Sequence, residues 1–567
     1  MIKRPGIVLV LLGILAAGGA LWFLLLPSPA GVQPAELLPE ETLVMIEAVD
    51  LKESLEEFRA GPLGRAILGI DIPACMRTFN AAPEAVEEVA RLQERVTAGI
   101  DSPWFDTLFG DLAVVALLKP EPDAPAASPE EELRRSAVLL LRPKKPAETI
   151  QWIGKMFARD LAMTPHTEAG VRMDRIETGD GPPLFVAVHR GLGLVALDPK
   201  PIRRCLGPRP EGRRSLAESP RYAALRAELA APEPSRGFVW IDLRPLLETG
   251  FAFAGEGDAS AAEAEKVWSG FAQARPYIAA VATDDGRMIR HRWRVRYNTA
   301  DLPPDLARML TVPPERDAAL PWVPEAVLYY SWQNNLGHLL ESVLDLSRLD
   351  PAEADDFKGA FAAETGVRFE DALAAFGSQF AVMIRDIEAG GIFPVPQMAL
   401  LVQVGKPEVM HRLLENLAQN YEIATATESY QGSTLRYLAL PYGEQVSPGW
   451  AVRDGFLVAA SSRGLLKTLL SRESDGKGLA ASPDFSAVNG GMPDPGNQVV
   501  YLQTGKAAGR ARELLKWALA LAGMTGRAGD TAQMAYLADT VAAPILDGLS
   551  MYRSEEHTSE LQSPNTI

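Results

Sequence analysis

Arg290, Arg292, Arg294 and Arg296 alternate with His291, Trp293, Val295 and Tyr297 along one strand-like run. Successive side chains of a strand point to opposite faces, so the four guanidinium groups share one face. Such a row could bind anions, as lipid head groups or polysaccharide carboxylates. The plainer reading, and the preferred one, is a solvated charged face that discourages edge pairing. Histidines at 166, 189, 291, 338, 411 and 557 lack the spacing of a zinc motif. Neither a phosphate-cradling glycine loop nor a Gly-x-Ser-x-Gly elbow occurs. The runs Glu130-Glu131-Glu132 and Asp355-Asp356 read as solvated faces, because carboxylate catalysis needs two groups at a fixed separation in a cleft. The sequence thus nominates no catalytic residue, no cofactor-binding residue and no metal ligand. Tyr329-Tyr330-Ser331-Trp332 reads as core strand, and Phe393-Pro394-Val395-Pro396 as a rigid loop or strand edge, before either reads as a ligand groove.

The elements that must position these residues fall into two sets. A chain of 567 residues exceeds what one core sustains. With 47% hydrophobic and 23% charged residues it is ordinarily globular. A net charge of −17 argues against nucleic acid as a partner, since that binding requires neutralising phosphates. Cys75 and Cys205 are the only cysteines. They allow one disulfide in an oxidising compartment or two buried thiols, and the sequence weighs these equally.

Residues 1–5 form a basic leader, and 6–26 an uncharged apolar run about 30 Å long as a helix. We read it as an uncleaved transmembrane anchor. Lys3 and Arg4 place the N-terminus in the cytoplasm, with the bulk in the periplasm or extracytoplasmic space. A cleaved signal peptide ending near Ser28-Pro29-Ala30 is the competing reading, disfavoured by the length of the apolar run. A linker at 27–36 then leads to a first α+β domain, 37–298. A second linker, 299–320, leads to a second α+β domain, 321–552.

The second domain repeats landmarks of the first. Leu38-Pro39-Glu40-Glu41-Thr42-Leu43-Val44 returns as Val323-Pro324-Glu325-Ala326-Val327-Leu328-Tyr329. Phe109-Gly110 returns as Phe376-Gly377, Gly193–Asp198 as Phe456–Ser461, Leu216–Tyr222 as Leu479–Phe485, and Phe238–Ile241 as Val499–Leu502. Ordered landmarks predict two tandem copies of one domain, with interleaved helices and mostly antiparallel sheet. In the first copy Tyr277–Ala282, an Asp285-Gly286 turn and Met288–Tyr297 read as a closing hairpin. In the second, Val541–Leu546 reads as the preceding helix and Leu549–Tyr552 as the start of the matching strand. Residues 553–567 resemble the in-frame translation of a sequencing adapter, so the second copy is expected to be truncated, with a hairpin due after Tyr552.

The Leu-Pro-Glu-Glu-Thr-Leu-Val-Met opening, the Phe-Gly-Asp-Leu-Ala-Val strand and the Ala-Glu-Ser-Pro-Arg-Tyr helix start resemble a bacterial family of envelope proteins. That family is catalogued as domain of unknown function 3352. The resemblance covers both halves and implies a fold and an address, but no site residues. The expectation is a single-pass inner-membrane protein whose ectodomain is a non-catalytic binding or scaffolding module, with the membrane and an envelope protein or lipid as partners. A carrier or sensor of an apolar ligand is the alternative, and an extracytoplasmic Asp/Glu hydrolase the second. For the arginine row, the preferred reading predicts that Arg292→Ser with Arg294→Ser leaves binding to anionic liposomes unchanged. A clear loss in a flotation assay would reinstate the anion platform.

Overall fold

The computed structural model describes residues 33–551, apart from 122–127, 144–162, 178–181, 209–212, 231–234, 255–267, 285–288, 345–349, 389–392, 441–442, 472–477, 525–527, most of 103–110, and positions 270, 491 and 493. The apolar run at 6–26, residues 146–158, whose apolar spacing predicts an amphipathic helix, and the adapter-like tail lie outside the described residues. Among the described residues no helix is long and apolar enough to cross a membrane. The chain divides into two units, 1–60 with 71–303 and 61–70 with 304–567.

The first unit is built on ten strands: β1 Thr42–Val49, β2 Leu112–Leu118, β3 Ala137–Arg142, β4 Met163–Glu168, β5 Val171–Ile176, β6 Leu184–His189, β7 Leu192–Ala196, β8 Ser235–Asp242, β9 Tyr277–Asp284 and β10 Ile289–Arg296. They pair antiparallel in the order β10-β9-β8-β1-β2-β3-β7-β6-β5-β4. The second unit has β11 Tyr329–Gln333, β12 Phe376–Glu388, β13 Val395–Val404, β14 Thr425–Tyr430, β15 Ser433–Leu438, β16 Gly449–Arg453, β17 Phe456–Ala460 and β18 Gln498–Leu502. Their order is β14-β15-β16-β17-β13-β12-β11-β18, again antiparallel. Apart from the β9–β10 hairpin, the two sheets share one strand order. Both units are α+β with antiparallel sheets.

The lead-ins match as well. Pro39 bridges Ser215 and Pro324 bridges Gly478. Leu216 donates its N–H to Leu38 at 2.8 Å, as Leu479 does to Val323 at 2.9 Å. Register then links the copies residue by residue. Met45 faces Ala116 and Trp240, where Tyr330 faces Met383 and Tyr501. Each of these side chains belongs to the main core of its unit.

Register also corrects one landmark. Leu194 lies opposite Leu140, and Val458 opposite the equivalent Leu401. Leu192 therefore corresponds to Phe456, one residue from the expected Gly193. A one-residue slip turns every side chain to the wrong face, and the buried set Leu192, Leu194, Ala196 against Phe456, Val458, Ala460 fixes the frame. Asp198 and Ser462 then coincide, and each accepts a backbone N–H at the start of the next helix.

Other departures are local. The run Glu130-Glu131-Glu132, expected to be a solvated face, lies in the first turn of a helix, Pro129–Ser136, capped by Ser128. A Ser-Pro-Glu-Glu sequence supplies cap, first-turn proline and favourable charge together. β4 was not foreseen, because Met-Thr-Pro-His-Thr-Glu has little apolar alternation and its proline is tolerated only at an edge. Ser219 begins the helix Pro220–Glu228 without a side-chain capping bond. Ser215 and Glu218 instead form a reciprocal capping box one turn earlier. Cys75 and Cys205 are free thiols.

The expected strand at Leu549–Tyr552 is also corrected, since Ala543–Met551 is helical. This helix packs on Pro62–Leu68, a helix that belongs to the second unit despite its place in the sequence. Gly548 allows the close approach, because a Cβ there would lie 2.8 Å from Leu63 Cα and 3.0 Å from the Pro62 carbonyl oxygen. Gly548→Val is expected to destabilise the second unit by roughly 1–3 kcal/mol through overpacking. Gly509→Ala, where nothing lies within 4 Å of the added atom, should be neutral or stabilising. Urea unfolding of both variants checks this.

Candidate functional site

Two adjoining hollows open in the first unit where β1 begins and β2 and β8 end. The larger, about 660 Å³, is lined by Glu40, Glu41, Lys119, Arg213, Arg214, Arg221 and Asp242 around an apolar floor that includes Leu43 and Trp240. The smaller, about 220 Å³, shares Glu41, Arg213 and Arg214 and adds Glu121, Arg203 and Arg204. Six cationic and four anionic side chains thus converge in a chain of net charge −17.

Each cation is placed by an element already described. Asp198 caps the helix Pro199–Leu206, whose apolar side buries Ile202 and Cys205 and so turns Arg203 and Arg204 outward to the hollow. The Pro39–Ser215 bridge, with the Glu40 N–H donated to the Arg214 carbonyl at 3.0 Å, holds Arg213 and Arg214 beside Glu41. Arg221 stands in the first turn of the helix Pro220–Glu228, and Lys119 follows β2.

Half of the cations are paired. Arg203 meets Glu121 at 2.5 Å, Arg213 meets Glu41 at 3.2 Å, and Arg221 lies 3.9 Å from Asp242. Arg204 donates to the Lys119 carbonyl oxygen at 2.6 Å. Burial pulls its pKa down against the raising influence of Glu121 and Glu41. Burial likewise raises the Asp242 carboxyl, opposed by Arg221 and Lys119. Among the described residues neither Lys119 nor Arg214 takes part in an ion pair, and Arg203 Nε is buried without a hydrogen-bond partner.

These residues were not singled out from the sequence, although Arg203-Arg204 and Arg213-Arg214 within a short acidic-chain segment were a usable signal. The arginine row that was singled out has a different setting. Arg292 and Arg294 face Val281 and Ala279 across the β9–β10 pair, so the row shares the core-bearing face. Arg294 and Arg296 both reach Glu228, at 2.9 and 2.6 Å. Arg292 keeps one buried terminal nitrogen without a hydrogen-bond partner.

A further charged pair was also missed. Glu47, 7% exposed on the core-bearing face of β1, meets Arg226 at 3.2 Å. Arg226 also lies 4.2 Å above the Phe238 ring. Burial is the largest influence on the Arg226 charge and opposes it, but Glu47 and Tyr222 together raise its pKa. In the second unit the matching positions are Trp332 and Asn489, and Trp332 donates instead to Gln379 at 2.9 Å. Gln379 and Ser378 both donate to Glu315, at 2.7 and 2.8 Å.

Beside this network Asp317 accepts from the Tyr330 hydroxyl at 2.6 Å and from the Ala319 and Leu320 amides, each at 2.9 Å. Burial pushes its carboxyl up to about 6 against those lowering contacts. Tyr330 and Trp332 are fully buried core residues, whereas Phe393 is exposed beside Trp517. His166 lies 3.5 Å from Glu168, and His338 lies 3.6 Å from Glu341. No group of three or more His, Cys, Asp or Glu residues able to hold a metal occurs among the described residues.

No family model matches the chain. No curated protein matches it either. Among solved structures it is similar to crystal form I of TP0453, at 8% identity, covering 78% of this chain and 98% of that one with a TM-score of 0.15. A likeness that slight carries no argument about fold or function.

The Asp317 setting gives a signed pH prediction. An acid with a raised folded pKa is protonated in the folded state while already ionised in the unfolded one. Its contribution is therefore complete below pH 3.8 and is lost as pH rises through about 6. The loss should amount to about 3 kcal/mol. Urea unfolding of the second unit, compared between wild type and Asp317→Asn across that window, should show the wild type losing ground. A constant difference would refute the assignment.

Proposed function

We propose that this chain is a single-pass, membrane-anchored protein of the bacterial cell envelope whose duplicated α+β ectodomain serves as a non-catalytic binding or scaffolding module. The resemblance to the envelope family catalogued as domain of unknown function 3352 belongs to this reading. The uncharged run at 6–26 supplies the anchor, with Lys3 and Arg4 on the cytoplasmic side. The observation that carries the binding role is the pair of cation-rimmed hollows in the first unit. Glu121, Glu41 and Asp242 are each matched to an arginine there. That arrangement holds charge in place and favours binding over carboxylate catalysis.

A carrier of apolar ligands gains less support, because both hollows are rimmed by charge. A hydrolase would require two of these carboxylates to act on a substrate. The test uses cells expressing the full chain. The protein is expected to stay with membranes through alkaline carbonate extraction, to be digested by protease added outside the inner membrane, and to yield a stable partner after crosslinking in intact envelopes. Release by carbonate would remove the anchor. Hydrolytic turnover lost on Glu41→Gln or Asp242→Asn would replace the binding role by catalysis.

A further inference from the structure

We propose that the paired hollows of the first unit are an oxyanion site that takes a phosphate group through Arg204, Arg214 and Lys119. This deepens the binding-module reading and rests on it. The three cations are those of the rim with no carboxylate in contact. Arg203, though paired with Glu121, still offers its buried Nε. Guanidinium groups present several donors in a fixed plane and suit the oxygens of a phosphate, with lysine adding a point charge. An arriving anion would also stabilise the Arg204 charge that burial disfavours.

The second unit shows that the fold does not need all of these cations. Its strand order is the same. Yet the helix equivalent to Pro199–Leu206 has Thr468 where the first unit has Arg204, and the helix after Ser482 has Asp484 where the first unit has Arg221. The positions of Arg203 and Arg214 keep a cation there, as Lys467 and Lys477, so what is specific to the first copy is the added charge of Arg204 and Arg221.

The hollow also lies close to the chain's entry. Glu40, Glu41 and Leu43 line it, and the helix Pro34–Leu37 precedes them directly. If 6–26 spans the bilayer, residues 27–33 cover at most about 24 Å in extended form. The site would then stand within reach of lipid phosphates. The floor of Leu43, Trp240, Pro220 and Pro245 could accept the glycerol and upper chain of such a lipid. A soluble phosphate would use the rim alone.

Full-length protein in a neutral detergent is titrated by calorimetry with inorganic phosphate and, separately, with a short-chain phosphatidylglycerol. A short-chain phosphatidylcholine tests whether the anionic character of the head group is needed. Saturable binding of either phosphate or phosphatidylglycerol is expected, weakened about tenfold or more by Arg204→Gln with Arg214→Gln. Arg214→Gln alone changes an exposed side chain and should fold normally while losing part of the affinity. Lys467→Gln in the second unit should leave binding intact. Tighter binding of the lipid identifies a head-group site, and equal binding of both identifies a phosphate site. Binding of neither, or binding indifferent to the arginine variants, overturns the proposal. If the crosslinked partner is still recovered, the binding-module reading survives that failure.

Discussion

Each unit depends on a short strand that must be paired on both sides by segments remote in sequence. β1 lies between β2 and β8, and β11 between β12 and β18. A central strand cannot leave its amides and carbonyls unpaired once it is buried. The residues that lead into it are held by the same logic, through the backbone bonds of Leu38 to Leu216 and Val323 to Leu479. That fastening draws the segment before the helix Pro220–Glu228 against the start of β1. The cation-rimmed hollow in the first unit is a by-product of the same contact.

The two units then diverge in how they satisfy polar groups on a shared framework. On the core-bearing face the first unit carries Glu47 with Arg226, packed on Phe238. The second replaces both and hydrogen-bonds the Trp332 indole to Gln379. A buried ion pair has a large desolvation cost and gains stability only with good geometry. An indole held by an amide achieves similar fixation without charge. Interchange of these solutions leaves strand order intact, because order follows from backbone pairing and apolar alternation.

The arginine row of β10 shows how a local pattern can be right about geometry and silent about setting. Alternation correctly places Arg292, Arg294 and Arg296 on one face. Only the sheet reveals that this face continues the core and brings Glu228 within reach of two of them. Conversely, Arg203, Arg204, Arg213 and Arg214 carried no periodic signature. They became a cluster because a capped helix and a bridged turn bring them to one rim.

Local sequence already carried the class of fold, the closing hairpin of the first unit and the recurrence of one domain plan. Those features rest on alternation, capping and turn chemistry, which act over a few residues. Tertiary structure alone decided the one-residue frame of β7 against β17, the helical state of Ala543–Met551, the place of Pro62–Leu68 in the second unit, and the convergence of charges at the hollow. Each depends on which distant surface a segment buries, and that choice is made by packing and backbone pairing across the chain.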